Sequence, residues 1–395
     1  MRIGFVIFSL RVGGAERVAA TLVNEWARRG EQITLLTIDC LASDFYQVDT
    51  RVQRVALEMN IRSKNWRQSM TSNLRRVRLL RAFVRRSKFD VIVSFGDKTN
   101  LLLLLATWGL KLPIVVAEHN DPRRWTIGAT GEYLRRLLYP RASAVVVLTA
   151  ETAKWAREIV GSGAISVIPN PVGEQCLQRS QPIIKGKQHF VVAMGRLGFE
   201  KGFDLLLLAF ALCFERYPDW TLRLVGQGAE QPRLLNLADQ LGIKHAVMFE
   251  PVTKEPERVL HESDLFVLSS RTEGFPMVLL EAMACGLPVV SFDCSSGPRE
   301  MIRDGIDGLL VPPEDVGALA AAMATLMGDE LERKRLAKRA VEVAERFSLP
   351  RVMGMWTEVF AKAACRTSGG KPAPVQVAEI AIGSDHRRVE KSRAD

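Results

Sequence analysis

The six cysteines, Cys40, Cys176, Cys213, Cys285, Cys294 and Cys365, are scattered, and none stands at CxxC or CxxH spacing. That excludes a zinc ribbon or a disulfide framework and suits plain thiols in a reducing compartment. No apolar run approaches the ~18 residues of a membrane span. The longest, Leu101 to Leu110, is stopped by Lys111 and Pro113 and reads as a buried helix leading into a buried strand. Met1 to Ile7 reads as a first strand, not as a signal peptide. A cytoplasmic chain, soluble or peripheral to a membrane, is therefore expected. The dinucleotide fingerprint GxGxxG is absent after the first strand. So is any helix-turn-helix, zinc-finger or RNA-binding signature.

What is present is enough for two domains. The 395 residues are 47% hydrophobic and 25% charged, the balance of an ordinary globule with a large core. The net charge of +10 is uneven, since residues 1–150 carry 24 Lys and Arg against 12 Asp and Glu. From Ile61 to Phe89 there are ten basic residues and no acidic one. Among them are Arg75, Arg76, Arg78 and Arg81, interleaved with Leu74, Val77, Leu80 and Phe83. Such a basic amphipathic stretch suits an anionic membrane surface or an anionic lipid-linked substrate. A solvated helix face is the plainer reading. Nucleic acid, the other polyanion, lacks a supporting motif.

Apolar, β-rich runs alternate with helical periodicity twice along the chain. The first set of strands is expected at Ile3–Phe8, Ile33–Ile38, Val91–Ser94, Ile114–Ala117, Ala144–Leu148 and Ile165–Ile168. The second begins at Phe190 and recurs at Thr221–Val225, Ala246–Phe249, Leu265–Leu268, Val289–Phe292 and Gly308–Val311. Continuous apolar strands joined by helices are the signature of buried parallel sheets. The fold class is α/β, with two Rossmann-like, doubly wound domains and a ligand cleft between them. The expected boundaries are 1–170, a linker at 171–188, a second domain at 189–347 and a helix at 348–365 returning to the first domain. A disordered tail at 366–395 is expected from its Gly, Pro, Ser and charge.

Three segments carry chemistry. Gly13-Gly14-Ala15-Glu16-Arg17 follows the first strand and opens a helix, where backbone N–H groups can meet an anion. Gly195 to Gly202 follows the second domain's first strand and places Arg196 and Lys201 on a glycine-flanked loop. Two such cations suit a diphosphate. Glu273-Gly274-Phe275-Pro276 leads into a helix that carries Val278, Leu279 and Glu281 and ends near Gly286. Its two carboxylates, eight apart, can touch different parts of one extended ligand or act as an acid/base pair. Glu281 stands among Leu279, Leu280, Ala282 and Met283. A buried carboxylate there needs a satisfying partner, and polyol hydroxyls would serve.

These segments, with Val225-Gly226-Gln227-Gly228, resemble the family 4 glycosyltransferases of the GT-B fold over nearly all of residues 1–365. The resemblance implies retaining transfer from a nucleotide-diphosphate sugar, with no metal and no cofactor. The sequence has no Asp-x-Asp motif. The resemblance further implies that Arg196, Lys201, the Gly14 amide and the helix start at Val278 and Leu279 hold the diphosphate. Glu281 would bind the ribose, Glu273 the transferred sugar, and the backbone at Phe249 the base. His119, in Glu118-His119-Asn120, matches a histidine that faces the sugar. With Ser94 to Asn100, that segment is similar to the branch extending polyprenyl-diphosphate-linked oligosaccharides. The implied partners are a UDP-sugar and a lipid-linked saccharide at the inner membrane face. GDP-mannose is the alternative donor. An epimerase or a silent nucleotide-sugar-binding subunit is the alternative function. Pro251 and Ser296-Gly297-Pro298 depart from the glycines many relatives carry, which touches base preference and loop shape near the sugar.

Overall fold

The computed structural model describes residues 1–59, 66–161, 165–177 and 188–367. Most of the expected linker, at 178–187, lies outside the described residues, as do Arg62 and Lys64 of the basic stretch and the tail from 368 onward.

The first sheet has seven strands: β1 (Arg2–Ile7), β2 (Gln32–Thr37), β3 (Gln53–Ala56), β4 (Val91–Phe95), β5 (Ile114–Glu118), β6 (Ala144–Val147) and β7 (Ile165–Val167). Their order is β3-β2-β1-β4-β5-β6-β7, and every pairing is parallel. Its helices are α1 (Gly14–Arg28), α2 (Trp66–Ser87), α3 (Asp97–Ala106), α4 (Gly128–Leu138) and α5 (Ala150–Val160). The second sheet has six: β8 (His189–Met194), β9 (Trp220–Val225), β10 (Val247–Glu250), β11 (Leu265–Leu268), β12 (Val289–Phe292) and β13 (Leu309–Val311). Their order is β10-β9-β8-β11-β12-β13, again parallel throughout. Around it lie α6 (Phe203–Phe214), α7 (Gln231–Gln240), α8 (Pro256–Glu262), α9 (Met277–Ala284), α10 (Pro298–Met301), α11 (Val316–Gly328), α12 (Glu330–Ala340) and α13 (Val343–Arg346).

Strand order reverses between β1 and β4 and between β8 and β11. Chain leaving neighbouring strands there diverges to opposite faces and leaves a crevice at the carboxyl edge, the usual ligand position in such sheets. The strands flanking both reversals are buried throughout or nearly so, as in β4, where all five residues are buried. Continuous apolar runs are what a sheet covered on both faces requires.

The last helix, α14 (Leu349–Thr367), belongs to the first domain's core. Leu349, Val352, Met353, Trp356, Val359 and Phe360 recur at helical spacing and pack with Phe5, Trp26 and Phe95. Trp356 meets Trp26 edge-on at 5.9 Å and stacks with Phe95 at 6.0 Å. Pro350 is tolerated because it falls in the helix's first turn, where its missing N–H has no acceptor anyway. The chain before it forms two helices, α12 and α13, interrupted at Val341 and Glu342.

Candidate active site between the two sheets

The walls of the cleft are backbone packed on backbone. After β9, Gly226 adopts φ 155°, and a Cβ there would lie 1.9 Å from the Gly195 carbonyl oxygen. Gly274 is pressed across the cleft against the loop after β5, where a Cβ would lie 2.4 Å from the His119 carbonyl oxygen. Any side chain at either position would push the loops apart.

The Gly274 contact sets the backbone of His119 and Asn120 against the loop that carries Glu273. Glu273 is 9% exposed, and its Oε1 receives Lys201 Nζ and Ser270 Oγ, each at 2.6 Å. Ser296 Oγ donates to the Glu273 carbonyl at 2.6 Å. The 295–298 segment therefore buttresses the Glu273 loop, with Gly297 packed on Pro276. Arg196 is placed differently from Lys201. It is 65% exposed, and its Nε and Nη2 donate to Glu200 Oε1 at 3.0 and 2.6 Å. The two cations expected to share a diphosphate are thus split, one turned inward and one held outward on a neighbouring carboxylate.

Two helix starts converge at the same place. A Cβ on Gly14, at the start of α1, would lie 3.5 Å from Met277 Cγ, at the start of α9. The amides of a helix's first turn lack helical acceptors and carry its positive end. Val278 lies in that turn of α9. The Leu279 N–H instead closes on the Pro276 carbonyl at 3.1 Å, while its side chain is core. Tyr46 Oη donates to the Gly13 carbonyl at 3.1 Å and fixes the turn into α1.

One turn behind these starts, Glu281 is 1% exposed. Arg17 Nη1, from the first domain, lies 2.6 Å from Glu281 Oε1. The approach is too oblique for a hydrogen bond, and both Glu281 oxygens lack an aligned donor among the described residues. Burial pushes the Glu281 carboxyl up to about 7, against the opposing pull of Arg17. Arg17 Nη2 donates to Glu257 Oε1 at 2.7 Å. Arg17, Tyr46 and Glu257 were given no role from the sequence. The only sequence signal was Arg17's place in the Gly13–Arg17 segment, one turn after Gly14.

His119 packs tilted against Phe95, with ring centroids 4.0 Å apart and ring planes at 38°. Both its ring nitrogens are buried without a hydrogen bond among the described residues. Burial drives its pKa down to about 3, so the imidazole is neutral. The preceding residue anchors the strand end. Glu118 is buried, accepts from the Tyr139 hydroxyl and lies 3.4 Å from Arg135 Nε. Burial raises its carboxyl to about 7. Asn100 Nδ2 donates to Tyr139 Oη and to the Ala117 carbonyl, and Ser94 Oγ donates to Asn100 Oδ1.

Phe249, on β10, the edge strand of the second sheet, pairs with Leu224 of β9. The Glu250 carbonyl accepts from the Gly226 N–H at 2.9 Å. A hollow of about 470 Å³ lies against this strand end, lined in part by Glu250, Pro251, Val252, Thr253 and Lys254.

The basic stretch is divided by the structure. Arg75 and Arg78 are exposed. Arg76 donates to the Met59 carbonyl at 2.7 Å and to Asn73, and Arg81 Nη1 donates to the Ala106 and Trp108 carbonyls at 2.8 Å each. Arg76 and Arg81 are thus tied to backbone carbonyls, whereas Arg75 and Arg78 stand exposed. Arg81 satisfies carbonyls at the end of α3 that have no helical donors. Leu74, Leu79, Trp108, Tyr133 and Leu137 are exposed on α2, after α3 and on α4, and α3 packs against both α2 and α4.

Comparison with known proteins agrees with this architecture. Residues 12–175 match the family "Glycosyltransferase Family 4" and residues 175–343 match "Glycosyl transferases group 1". A lipopolysaccharide core biosynthesis glycosyltransferase, LpsE of Rhizobium meliloti, is 30% identical, over 84% of this chain and 90% of that protein. A Campylobacter jejuni α-1,4-N-acetyl-D-galactosaminyltransferase, named for a diNAcBac-PP-undecaprenol-linked saccharide, is 27% identical, over 92% and 99%. An exopolysaccharide phosphotransferase of Streptomyces coelicolor is 31% identical over 98% of this chain, which spans 43% of that longer protein. The structure of Anabaena Alr3699/HepE with UDP and glucose superposes with a TM-score of 0.75 at 21% identity, over 91% and 99%, a likeness of fold. The matched families, the LpsE relationship and the paired parallel sheets together place the chain in family 4 of the glycosyltransferases, with the GT-B fold.

Proposed function

We propose that the protein is a retaining transferase that moves a hexose or N-acetylhexosamine from a nucleotide-diphosphate sugar, UDP first, to a hydroxyl of a polyprenyl-diphosphate-linked saccharide. The observation that carries this reading is the convergence of Lys201, Glu273 and the starts of α1 and α9 beside a buried, hydrogen-bond-poor Glu281. A diphosphate entering between the helix starts would be neutralised by Lys201 and the first-turn amides, without a metal. Lys201 would exchange Glu273 for the phosphate. Glu273, still held by Ser270, would then accept a sugar hydroxyl. Arg196 is on the same loop and would leave Glu200 to meet the diphosphate from outside. The Pro251–Lys254 hollow would take the base beside Phe249. Neutral His119 can orient a sugar hydroxyl but is too weakly basic to hold a proton near neutral pH.

In the transfer, the acceptor oxygen bonds to the anomeric carbon on the face that the diphosphate leaves. The bond from that carbon to the phosphate oxygen breaks, and the acceptor's proton passes to the departing phosphate. Configuration is retained and no protein nucleophile is needed.

The acceptor class is supported by the undecaprenol-linked saccharide in the Campylobacter protein's name. It is also supported by the exposed Arg75 and Arg78 beside Leu74, Leu79 and Trp108, which suit peripheral contact with an anionic inner membrane face. No helix among the described residues is long and apolar enough to cross a membrane. A thermal-shift panel of UDP, GDP, ADP and their sugars, without added metal, tests the donor. Stabilisation by UDP supports the reading, and stabilisation by GDP alone moves it to mannosyl transfer. Release of UDP from a UDP-sugar only when a polyprenyl-linked saccharide is added separates transfer from epimerisation.

A further inference from the structure

Arg17 sits one turn behind Gly14 on α1, and Glu281 one turn behind Met277 on α9. Because Gly14 faces Met277, these two side chains meet about one helical pitch, ~5 Å, behind the pair of helix starts. A nucleoside diphosphate whose phosphates lie at the helix starts would bring its ribose to this level. The guanidinium crosses from one domain to two carboxylates of the other, and the two contacts differ in kind. Nη2 makes an aligned hydrogen bond to Glu257 at 2.7 Å. Nη1 reaches Glu281 Oε1 at 2.6 Å without alignment, so charge is compensated while both oxygens keep their acceptor capacity. A buried carboxylate in that condition is costly. A vicinal diol, with two O–H donors, would remedy it.

We propose that Arg17 is a positioning residue for the donor: anchored on Glu257, it sets the Glu281 carboxylate from across the cleft as the acceptor of the ribose diol, and so ties the first domain to nucleotide binding. This rests on the donor site described above. The groups facing Glu281 are Arg17 from α1, Glu257 from α8, Tyr46 from the segment after β2 and Cys176 from the chain leaving the first domain. Glu281's own helix adds Cys285, whose N–H donates to the Glu281 carbonyl. Arg17 is the cation among them. It favours the charged carboxylate that burial and Glu257 disfavour. A protonated Glu281 has one acceptor fewer for the diol.

The test is calorimetric binding of UDP to the full chain between pH 5.5 and 8.5. It compares the wild type with Arg17→Ala, Arg17→Lys, Glu257→Gln and Glu281→Gln, and adds 2′,3′-dideoxy-UDP as a second probe. Wild-type affinity should fall as pH drops through about 7. Arg17→Ala should move that inflection to higher pH and weaken binding at pH 7 by about tenfold, and Arg17→Lys should restore the inflection. Glu257→Gln should move it the other way. Opposite shifts are not produced by a general loosening of the fold, and Glu257→Gln keeps the test open if Arg17→Ala does not fold. An inflection that stays at the wild-type pH in Glu257→Gln, and in Arg17→Ala where it folds, overturns the role of Arg17. Wild-type affinity in Glu281→Gln, together with undiminished binding of dideoxy-UDP, overturns the ribose site itself.

Discussion

Lys201 Nζ stands 2.6 Å from Glu273 Oε1, joining the loop after β8 to the loop before α9. Each is a partner of the other, so a donor must satisfy both before either is released. The two residues should then separate kinetically. Glu273→Gln keeps the shape but weakens the acceptor for a sugar hydroxyl, and should lower kcat by about 10²–10³-fold while UDP affinity changes little. Lys201→Ala should instead weaken UDP binding by about 10–100-fold, the worth of a charge-assisted hydrogen bond. Steady-state kinetics paired with calorimetry distinguishes the two, and equal losses of affinity would sink the assignment.

The exposed position of Arg196 gives it a different signature. Its partner Glu200 competes with the diphosphate. Glu200→Gln should therefore tighten UDP binding, whereas Arg196→Ala should weaken it. If Arg196→Ala binds UDP as the wild type does, Arg196 stays outside the donor site.

The protein without added nucleotide should lose stability as pH rises from about 4.5 to 7. Glu118 and Glu281 both titrate near 7 in the fold, against an ordinary 4.5, so the folded state holds their protons where the unfolded chain releases them. Their contribution is full below about 4.5, is lost as pH rises to about 7 and is flat above. His119 acts in the opposite sense. Its folded pKa of about 3 costs stability progressively as pH falls below 6.5. Calorimetric Tm between pH 5 and 8 should decline in the wild type and flatten in Glu118→Gln. An unchanged slope in that variant would show that Glu118 is charged throughout.

The basic helix α2 offers a test that separates surface from scaffold. Arg75→Ser with Arg78→Ser should reduce binding to vesicles of anionic lipid, more at low salt, with Tm unchanged. Arg81→Ser should lower Tm, because two carbonyls at the end of α3 lose their donor. Vesicle binding unaffected by the double change would remove the membrane reading.

Much of this arrangement was legible in the sequence because it is local. Apolar runs placed twelve of the thirteen strands, and a helix start after Pro276 put Glu273 and Glu281 on either side of a turn. Strand β3, Gln-Arg-Val-Ala, was missed, since an edge strand needs no continuous apolar run. Helices α8 and α10 were missed because four to seven residues carry too little periodicity. The argument that buried Glu281 requires a partner was sound, yet the charge that faces it is Arg17, 264 positions earlier. No spacing rule spans that distance. The different fates of Arg75 and Arg81 were equally hidden, because they depend on which carbonyls the folded α3 leaves over.

The return of α14 to the first sheet has a consequence for how the protein is made. Phe5, Trp26 and Phe95 are near the beginning of the chain, but Trp356 and Phe360, which cover them, are translated after the whole second domain. Domains ordinarily fold in the order of their synthesis. Here the first domain cannot close its aromatic core until α14, the last of the described helices, has been made. A released chain ending before residue 349 should carry a finished second half and an unfinished first.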